Sequence, residues 1–162
     1  MNELTHFDAA GASRMVDVGD KPISVRAARA SCRISMRAET LRRILDRAMT
    51  KGDVLEVARL AGIQAAKETS RLIPLCHLVP LDSVSITLAP LDATTLAIES
   101  EARATARTGV EMEALVAAGI AALTVYDMCK AIDRGMVIEQ VRLEEKSGGR
   151  SGHFQRGQSG ID

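Results

Sequence analysis

The sequence predicts an α+β protein: a ferredoxin-like β-α-β-β-α-β plait with one extra helix, its antiparallel sheet carrying helices on one face. Three observations predict it. Strand-like and helix-like periodicities follow one another in that order along the chain. The two middle strands are joined by a short turn, which makes a hairpin rather than a crossover. At 162 residues and 46% hydrophobic content, the chain can bury one sizeable core but is short for two domains.

Residues 1–20 are mixed and polar, punctuated by Gly11 and Gly19, and read as a flexible arm. Ile23 to Met36 carries Ile23, Val25 and Ile34 among small residues, a strand pattern. Leu41, Ile44, Leu45 and Ala48 then recur at helical spacing, so 38–49 is expected to be a helix, broken by Thr50-Lys51-Gly52. Asp53 with Glu56 three residues on is an N-terminal cap for a second, alanine-rich helix that stops before Pro74. Pro74-Leu75-Cys76-His77-Leu78-Val79-Pro80 has two prolines and must be a loop of restricted freedom. Val84, Ile86 and Leu88 alternate with Ser83, Ser85 and Thr87, and a second alternating run covers 95–106 with a slip, read as a bulge, near Ser100. Asp92 and its neighbours turn between them. Thr108-Gly109-Val110-Glu111 resembles a second capping box, opening a helix over about 110–132 that is apolar almost all round. Val137, Ile138, Val141 and Leu143 make a last strand. The expected organisation is an arm (1–20), one ferredoxin-like domain (21–146) and a mobile tail (147–162).

Composition excludes several function classes. Lys+Arg and Asp+Glu each total 21, so the chain lacks the basic excess of a non-specific nucleic-acid binder. Phe7, Tyr126 and Phe154 are the only aromatic residues, too few for a base-stacking platform. No apolar run approaches the roughly 18 residues a membrane span requires. Met1 to His6 shows neither the basic start nor the apolar core of a signal peptide. Cys32, Cys76 and Cys129 are odd in number and form no C-x-x-C, which points to free thiols in a reducing cytoplasm.

Several residues could carry chemistry. Asp127 and Lys130 lie three apart on one face at the end of the long helix. The spacing suits a surface ion pair, and it equally suits an acid/base pair at a pocket edge, where burial would move both groups toward neutrality. Glu111 and Glu113 begin that helix; they would oppose a phosphate there but suit the N–H edge of a guanine-like ring. His77, between two prolines and beside Cys76, reads as a loop histidine or as a catalytic or phosphate-binding one; no further ligands complete a metal set. Lys51 sits just ahead of a helix start without the glycine framework of a phosphate loop. Lys21, Arg26, Lys67, Arg71 and Lys146 are scattered cations.

At these residues the chain resembles a known family. Leu4-Thr5-His6-Phe7-Asp8, Met15-Val16-Asp17-Val18, Lys51-Gly52-Asp53-Val54, Leu72-Ile73-Pro74-Leu75-Cys76-His77, Thr108-Gly109-Val110-Glu111-Met112-Glu113-Ala114-Leu115, Leu123-Thr124-Val125-Tyr126-Asp127-Met128-Cys129-Lys130 and Glu145-Lys146-Ser147-Gly148-Gly149 together look like the cyclic pyranopterin monophosphate synthase (MoaC) family. The match runs from about residue 4 to 154. Departures are small: Leu78 stands where a proline is expected, Gly19 for a serine and Phe154 for a tryptophan.

The resemblance implies a lyase of molybdenum cofactor biosynthesis. Its substrate is the cyclised GTP intermediate 3′,8-cyclo-7,8-dihydro-GTP, rearranged to cyclic pyranopterin monophosphate with release of diphosphate. It implies no redox cofactor, so no cofactor is expected. It makes Asp127 the active-site acid/base, with Lys51, Lys130 and Lys146 holding the triphosphate or moving protons. Leu75, Cys76 and His77 would form a substrate loop; Met112 and Glu113, with Glu111 beside them, would bind the guanine-derived part, and Lys21 and Arg26 would add phosphate contacts. It also implies a homohexamer, a trimer of dimers with the site at a subunit interface, and no nucleic-acid or membrane partner. Two other readings compete: a nucleotide sensor on the same fold, which would bind without turnover, and an RNA-binding module, which the missing strand aromatics disfavour.

Overall fold

The computed structural model describes residues 6–8, 10–48, 52–150 and 152–157. Its elements follow as β1 (Ser24–Ser35), α1 (Ala38–Leu45), α2 (Val54–Lys67), α3 (Thr69–Leu72), β2 (Ser83–Pro90), β3 (Thr95–Ala106), α4 (Glu111–Cys129), β4 (Val137–Ser147) and β5 (Phe154–Gln155). The sheet order is β2-β3-β1-β4-β5, and every neighbouring pair is antiparallel. Strands β2, β3, β1 and β4, with α2 and α4 as the crossovers, are the ferredoxin-like arrangement the periodicities predict. Part of the segment expected as a tail, Phe154–Gln155, pairs with β4 at Glu145 and Lys146.

Alternation decides which face is covered. On β1 the even positions Ala28, Ala30, Cys32 and Ile34 are buried beneath the helices, as are Leu96, Ile98, Ala102 and Ala104 on β3. The odd positions carry Arg29, Arg33, Glu99, Glu101 and Arg103 on the other face. The slip expected near Ser100 does not occur. The pairing of β3 with both neighbours runs unbroken through Ser100, which is an inward residue. It is 1% exposed and its hydroxyl donates to the Ala114 carbonyl at 2.6 Å. A core serine with its bond made mimics a break in an apolar pattern without breaking the strand.

The helices also differ in detail from the sequence expectation. The helix expected over 38–49 ends at Leu45, where Asp46 is the C-terminal cap and Arg47 takes a left-handed φ of 53°. Asp53 does cap α2, accepting from the Glu56 amide at 3.1 Å, but the helix behind it breaks at Glu68 into α2 and α3. The capping box expected at Thr108 to Glu111 does not form. Val110 is the N-cap, without a side-chain bond, and Glu111 is used elsewhere.

Against the sequence expectation, α4 is long and apolar enough to cross a membrane, but here it packs against the sheet and against α2, which lies beside it on β2. Ala114, Ala117, Ala118, Ala121 and Ala122 are fully buried, so the two helix backbones come close. At Gly62 of α2 an added Cβ would overlap Ile86 Cδ1 and lie 2.8 Å from the Ala117 carbonyl oxygen. The core has two parts. The larger holds the big side chains Ile34, Leu41, Ile44, Leu96, Ile98 and Val125. The smaller, Ala28, Ala30, Val79, Ala102, Ala104, Val110 and Ala114, lies at the start of α4, where small side chains fill less volume.

Candidate active site

A cleft opens beside that smaller cluster, in two chambers. The larger, about 750 Å³, is lined by Lys21, Pro22, Ser24, Arg26, Arg107, Thr108, Gly109, Glu111 and Lys146 to Arg150. The smaller, about 390 Å³, is lined by His6, Val16, Val18, Lys21, Leu75, Cys76, His77, Val79, Thr108, Gly109, Glu111, Met112 and Glu113. Lys21, Thr108, Gly109 and Glu111 belong to both, so the chambers adjoin.

The larger chamber is cationic. Lys21, Arg26, Arg107, Lys146 and Arg150 face one carboxylate, Glu111, whose Oε1 already accepts from Lys146 Nζ at 3.0 Å. A dianionic or polyanionic ligand is what such a wall stabilises. Arg26 is the fixed member, 8% exposed. Its Nε donates to the Ala106 carbonyl at 3.3 Å and its Nη2 to the Arg107 carbonyl at 3.2 Å. Gly148 and Gly149 wrap over it with φ of 95° and 75°. A Cβ at Gly149 would overlap Arg26 Nη1, so only glycine fits both the backbone and the space.

A bulge explains how Lys146 reaches this wall. Arg142 pairs with Ser31 and faces away from the helices, so strict alternation would send Lys146 the same way. Between Leu143, opposite Ala30, and Glu145, opposite Arg29, the extra residue Glu144 interrupts the ladder. Lys146 then stands opposite Ala28, on the covered face. Glu144 holds the bulge from outside: its Oε1 accepts from the Ser31 hydroxyl and from Arg142 Nε, the latter at 2.7 Å.

The smaller chamber combines carboxyl, imidazole and thiol. Burial pushes the Glu113 carboxyl above its ordinary range, the Glu111 charge adds to this, and Glu113 is only 4% exposed. Burial, then the Glu113 charge, likewise pushes the Cys76 thiol up, the opposite of what a thiolate nucleophile needs. His77 Nε2 lies 2.7 Å from the Val16 carbonyl oxygen. A carbonyl only accepts, so Nε2 carries the hydrogen, and in the neutral ring Nδ1 is an acceptor. The same contact ties the arm to the 74–80 loop. Among the described residues, no group of three metal-ligating side chains converges.

The fold thus brings together Lys21, Arg26, Leu75, Cys76, His77, Glu111, Met112, Glu113 and Lys146. It does not bring Asp127 and Lys130 to them. Those two lie at the far end of α4, Asp127 about 24 Å and the C-cap Lys130 about 28 Å from Glu111 at about 1.5 Å per residue. They form an exposed pair, Lys130 Nζ donating to Asp127 Oδ1 at 2.6 Å. That hydrogen bond and the Asp127 charge hold the Lys130 ammonium above its ordinary value, away from the neutrality that burial would have given. Lys51 lies outside the described residues.

Sequence reasoning missed Arg107, Arg150 and Ser24, and left His6 to the arm. The two arginines flank Thr108-Gly109 and Gly148-Gly149, and a cation abutting a glycine motif was the signal available. Ser24 carries no such signal.

Comparison with known proteins gives one consistent result. Residues 15–149 match the family model described as the MoaC family. A protein of Magnetococcus marinus named cyclic pyranopterin monophosphate synthase is 60% identical over 157 residues, covering 96% of each chain. One of the same name from Chloroflexus aurantiacus is 58% identical, again over 96% of each chain. Cyclic pyranopterin monophosphate synthase 1 of Mycobacterium bovis is 54% identical, over 98% of this chain and 93% of its own.

Proposed function

We propose a function from one premise: the chain belongs to the MoaC family. It is an enzyme, a lyase that converts 3′,8-cyclo-7,8-dihydro-GTP to cyclic pyranopterin monophosphate and diphosphate, an early step of molybdenum cofactor biosynthesis. The observation that carries the reading onto this chain is the two-chamber cleft, cationic on one side and carboxyl-lined on the other. The substrate has the same two halves, a triphosphate and a guanine-derived ring system.

In this reading the triphosphate lies against Lys21, Arg26 and Lys146, and the ring enters the smaller chamber. Met112 and the half-ring of polar groups at Glu113, Cys76 and His77 line that space. Glu113, held toward its protonated form by burial, can donate to a ring carbonyl or accept from a ring N–H. His77 presents Nδ1 as a proton acceptor. Opening the five-membered ring and building the pterin require protons to be moved among ring nitrogens and carbons. Closing the cyclic phosphate forms a P–O bond from a sugar hydroxyl to the α-phosphorus and breaks the P–O bond to diphosphate. The cations stabilise the charge that grows on the leaving diphosphate.

Asp127 and Lys130 complete the chemistry from a neighbouring subunit, with Lys51 as a further phosphate-holding or proton-moving group of the shared site. Two features support a shared site in a homohexamer. Asp127 and Lys130 are too far along α4 to enter their own chain's cleft. Exposed Leu60 and Leu123 on α2 and α4 offer apolar area for a second copy to cover. Cys32 and Cys76 are free thiols, in keeping with a cytoplasmic enzyme.

The test is turnover. The purified protein is supplied without oxygen with the cyclised GTP intermediate, and diphosphate release and pterin fluorescence after oxidation are followed. Wild type should turn over, while Lys51→Ala and Asp127→Ala should lose at least about a hundredfold in kcat. A folded wild-type hexamer that binds the intermediate without releasing diphosphate would leave the nucleotide-sensor reading in its place. A clean monomer in analytical ultracentrifugation at micromolar concentration would remove the shared site.

A further inference from the structure

Ser24 is the one side chain among the described residues whose oxygen is shut off from solvent and has no hydrogen-bond partner. Such a hydroxyl has given up its bonds to water and received nothing in exchange, and native structures keep few of them. Its position is informative. Ser24 opens β1 and borders the cationic chamber. Strand alternation puts it on the same face as Arg26, about 7 Å away along the strand. Arg26 is buried and points two of its donors at backbone carbonyls. The one carboxylate in the chamber, Glu111, is occupied by Lys146. The wall is therefore rich in donors and poor in acceptors. A ligand that satisfies it must bring oxygens.

We propose that Ser24 is a phosphate-binding residue, its Oγ–H donating to a non-bridging phosphoryl oxygen held beside Arg26. This rests on reading the larger chamber as the site of the substrate's phosphates. Rotation about the serine χ1, among its staggered positions, brings the hydroxyl to the ligand without moving the backbone. The role differs from that of the lysines. A flexible ammonium supplies charge at a range of distances, whereas a hydroxyl on a strand fixes where one phosphoryl group sits. A hydroxyl that no protein group matches is then the mark of a bond that forms on binding.

The test uses inorganic diphosphate as the probe, titrated calorimetrically into the full-length protein. Wild type, Ser24→Ala and Ser24→Thr are compared, together with their unfolding midpoints in urea without ligand. Ser24→Ala should weaken diphosphate binding about tenfold or more, the range for a hydrogen bond to a charged partner. Ser24→Thr, which keeps the hydroxyl, should restore most of the affinity. The unliganded Ser24→Ala protein should be at least as stable as wild type, because the unsatisfied hydroxyl is gone. If wild type and Ser24→Ala bind equally, the assignment of Ser24 falls and the phosphate reading of the chamber stands. If wild type does not bind diphosphate, that reading falls and Ser24 with it. An Ala variant that is clearly less stable than wild type makes the hydroxyl structural and overturns the proposal.

Discussion

Replacing Gly149 by alanine should damage the cationic chamber out of proportion to the single methyl added. Two costs arise at that position. The backbone φ is 75°, where an alanine is disfavoured by about 1–2 kcal/mol. The new Cβ also overlaps Arg26 Nη1. Either the 148–150 segment lifts away or the guanidinium leaves its place. In the second case its bonds to the Ala106 and Arg107 carbonyls weaken, each worth about 1.5–3 kcal/mol for a charged donor. Loss of one such interaction with the bound phosphates corresponds to about a ten- to hundredfold rise in Kd. Diphosphate titration and the KM for the cyclised intermediate should both show it, with kcat changing less. Gly152→Ala is the internal control: its φ is 66°, yet a Cβ there meets nothing within 4 Å. It should carry the backbone cost alone and leave binding near wild type. If Gly149→Ala binds diphosphate within twofold of wild type, or if both variants lose affinity equally, the packing of Gly149 on Arg26 does not organise the chamber.

Gly62→Ala should destabilise the protein by about 1–2 kcal/mol in urea unfolding, because overpacking against Ile86 and the Ala117 carbonyl outweighs a gain of about 1 kcal/mol in helix propensity; an unchanged or higher midpoint would mean that α2 and α4 are less closely packed than described. Asp133→Asn should cost about 2–3 kcal/mol, since Oδ2 accepts from the Arg37 amide at 2.9 Å and from the buried Thr40 hydroxyl at 3.0 Å. The Arg37 amide holds this carboxyl below its ordinary 3.8, so its contribution is present above that value and lost as pH falls through the lower, native one; a gap between variant and wild type that widens in acid contradicts the assignment. Glu113 has the opposite sign. Its native carboxyl titrates above 4.5, so the burial penalty is absent below 4.5 and grows as pH rises through the raised value. Glu113→Gln should therefore raise the melting temperature at pH 7 and lose that advantage in acid; equal melting at both pH values would refute the buried charge. Turnover should fall in the same variant, because the site loses its titrating group.

What the sequence determined by itself is what local periodicity encodes. Alternation in 83–106 names the covered face of β2 and β3, and the alanines of α2 name a helix that packs closely; in β1 the pattern misleads, because Ile23 and Val25 are exposed and the covered positions are small. Motifs grouped Leu75-Cys76-His77 with Met112-Glu113, and the fold places them in one chamber. The tertiary structure decided the rest, wherever a residue's role depends on the strand opposite it. Ser100 looked like a break because its partner, the Ala114 carbonyl, lies on another element. Glu111 was assigned to a cap but is drawn away by Lys146, 35 residues on. Lys146 faces the cleft because one extra residue, Glu144, shifts the ladder against β1. Asp127 and Lys130 share a motif-rich helix with Glu111 and Glu113 but lie a helix length away, which no local pattern shows. Backbone pairing and packing between distant segments fix direction and distance, and a linear pattern carries only the order of residues and which of them share a face.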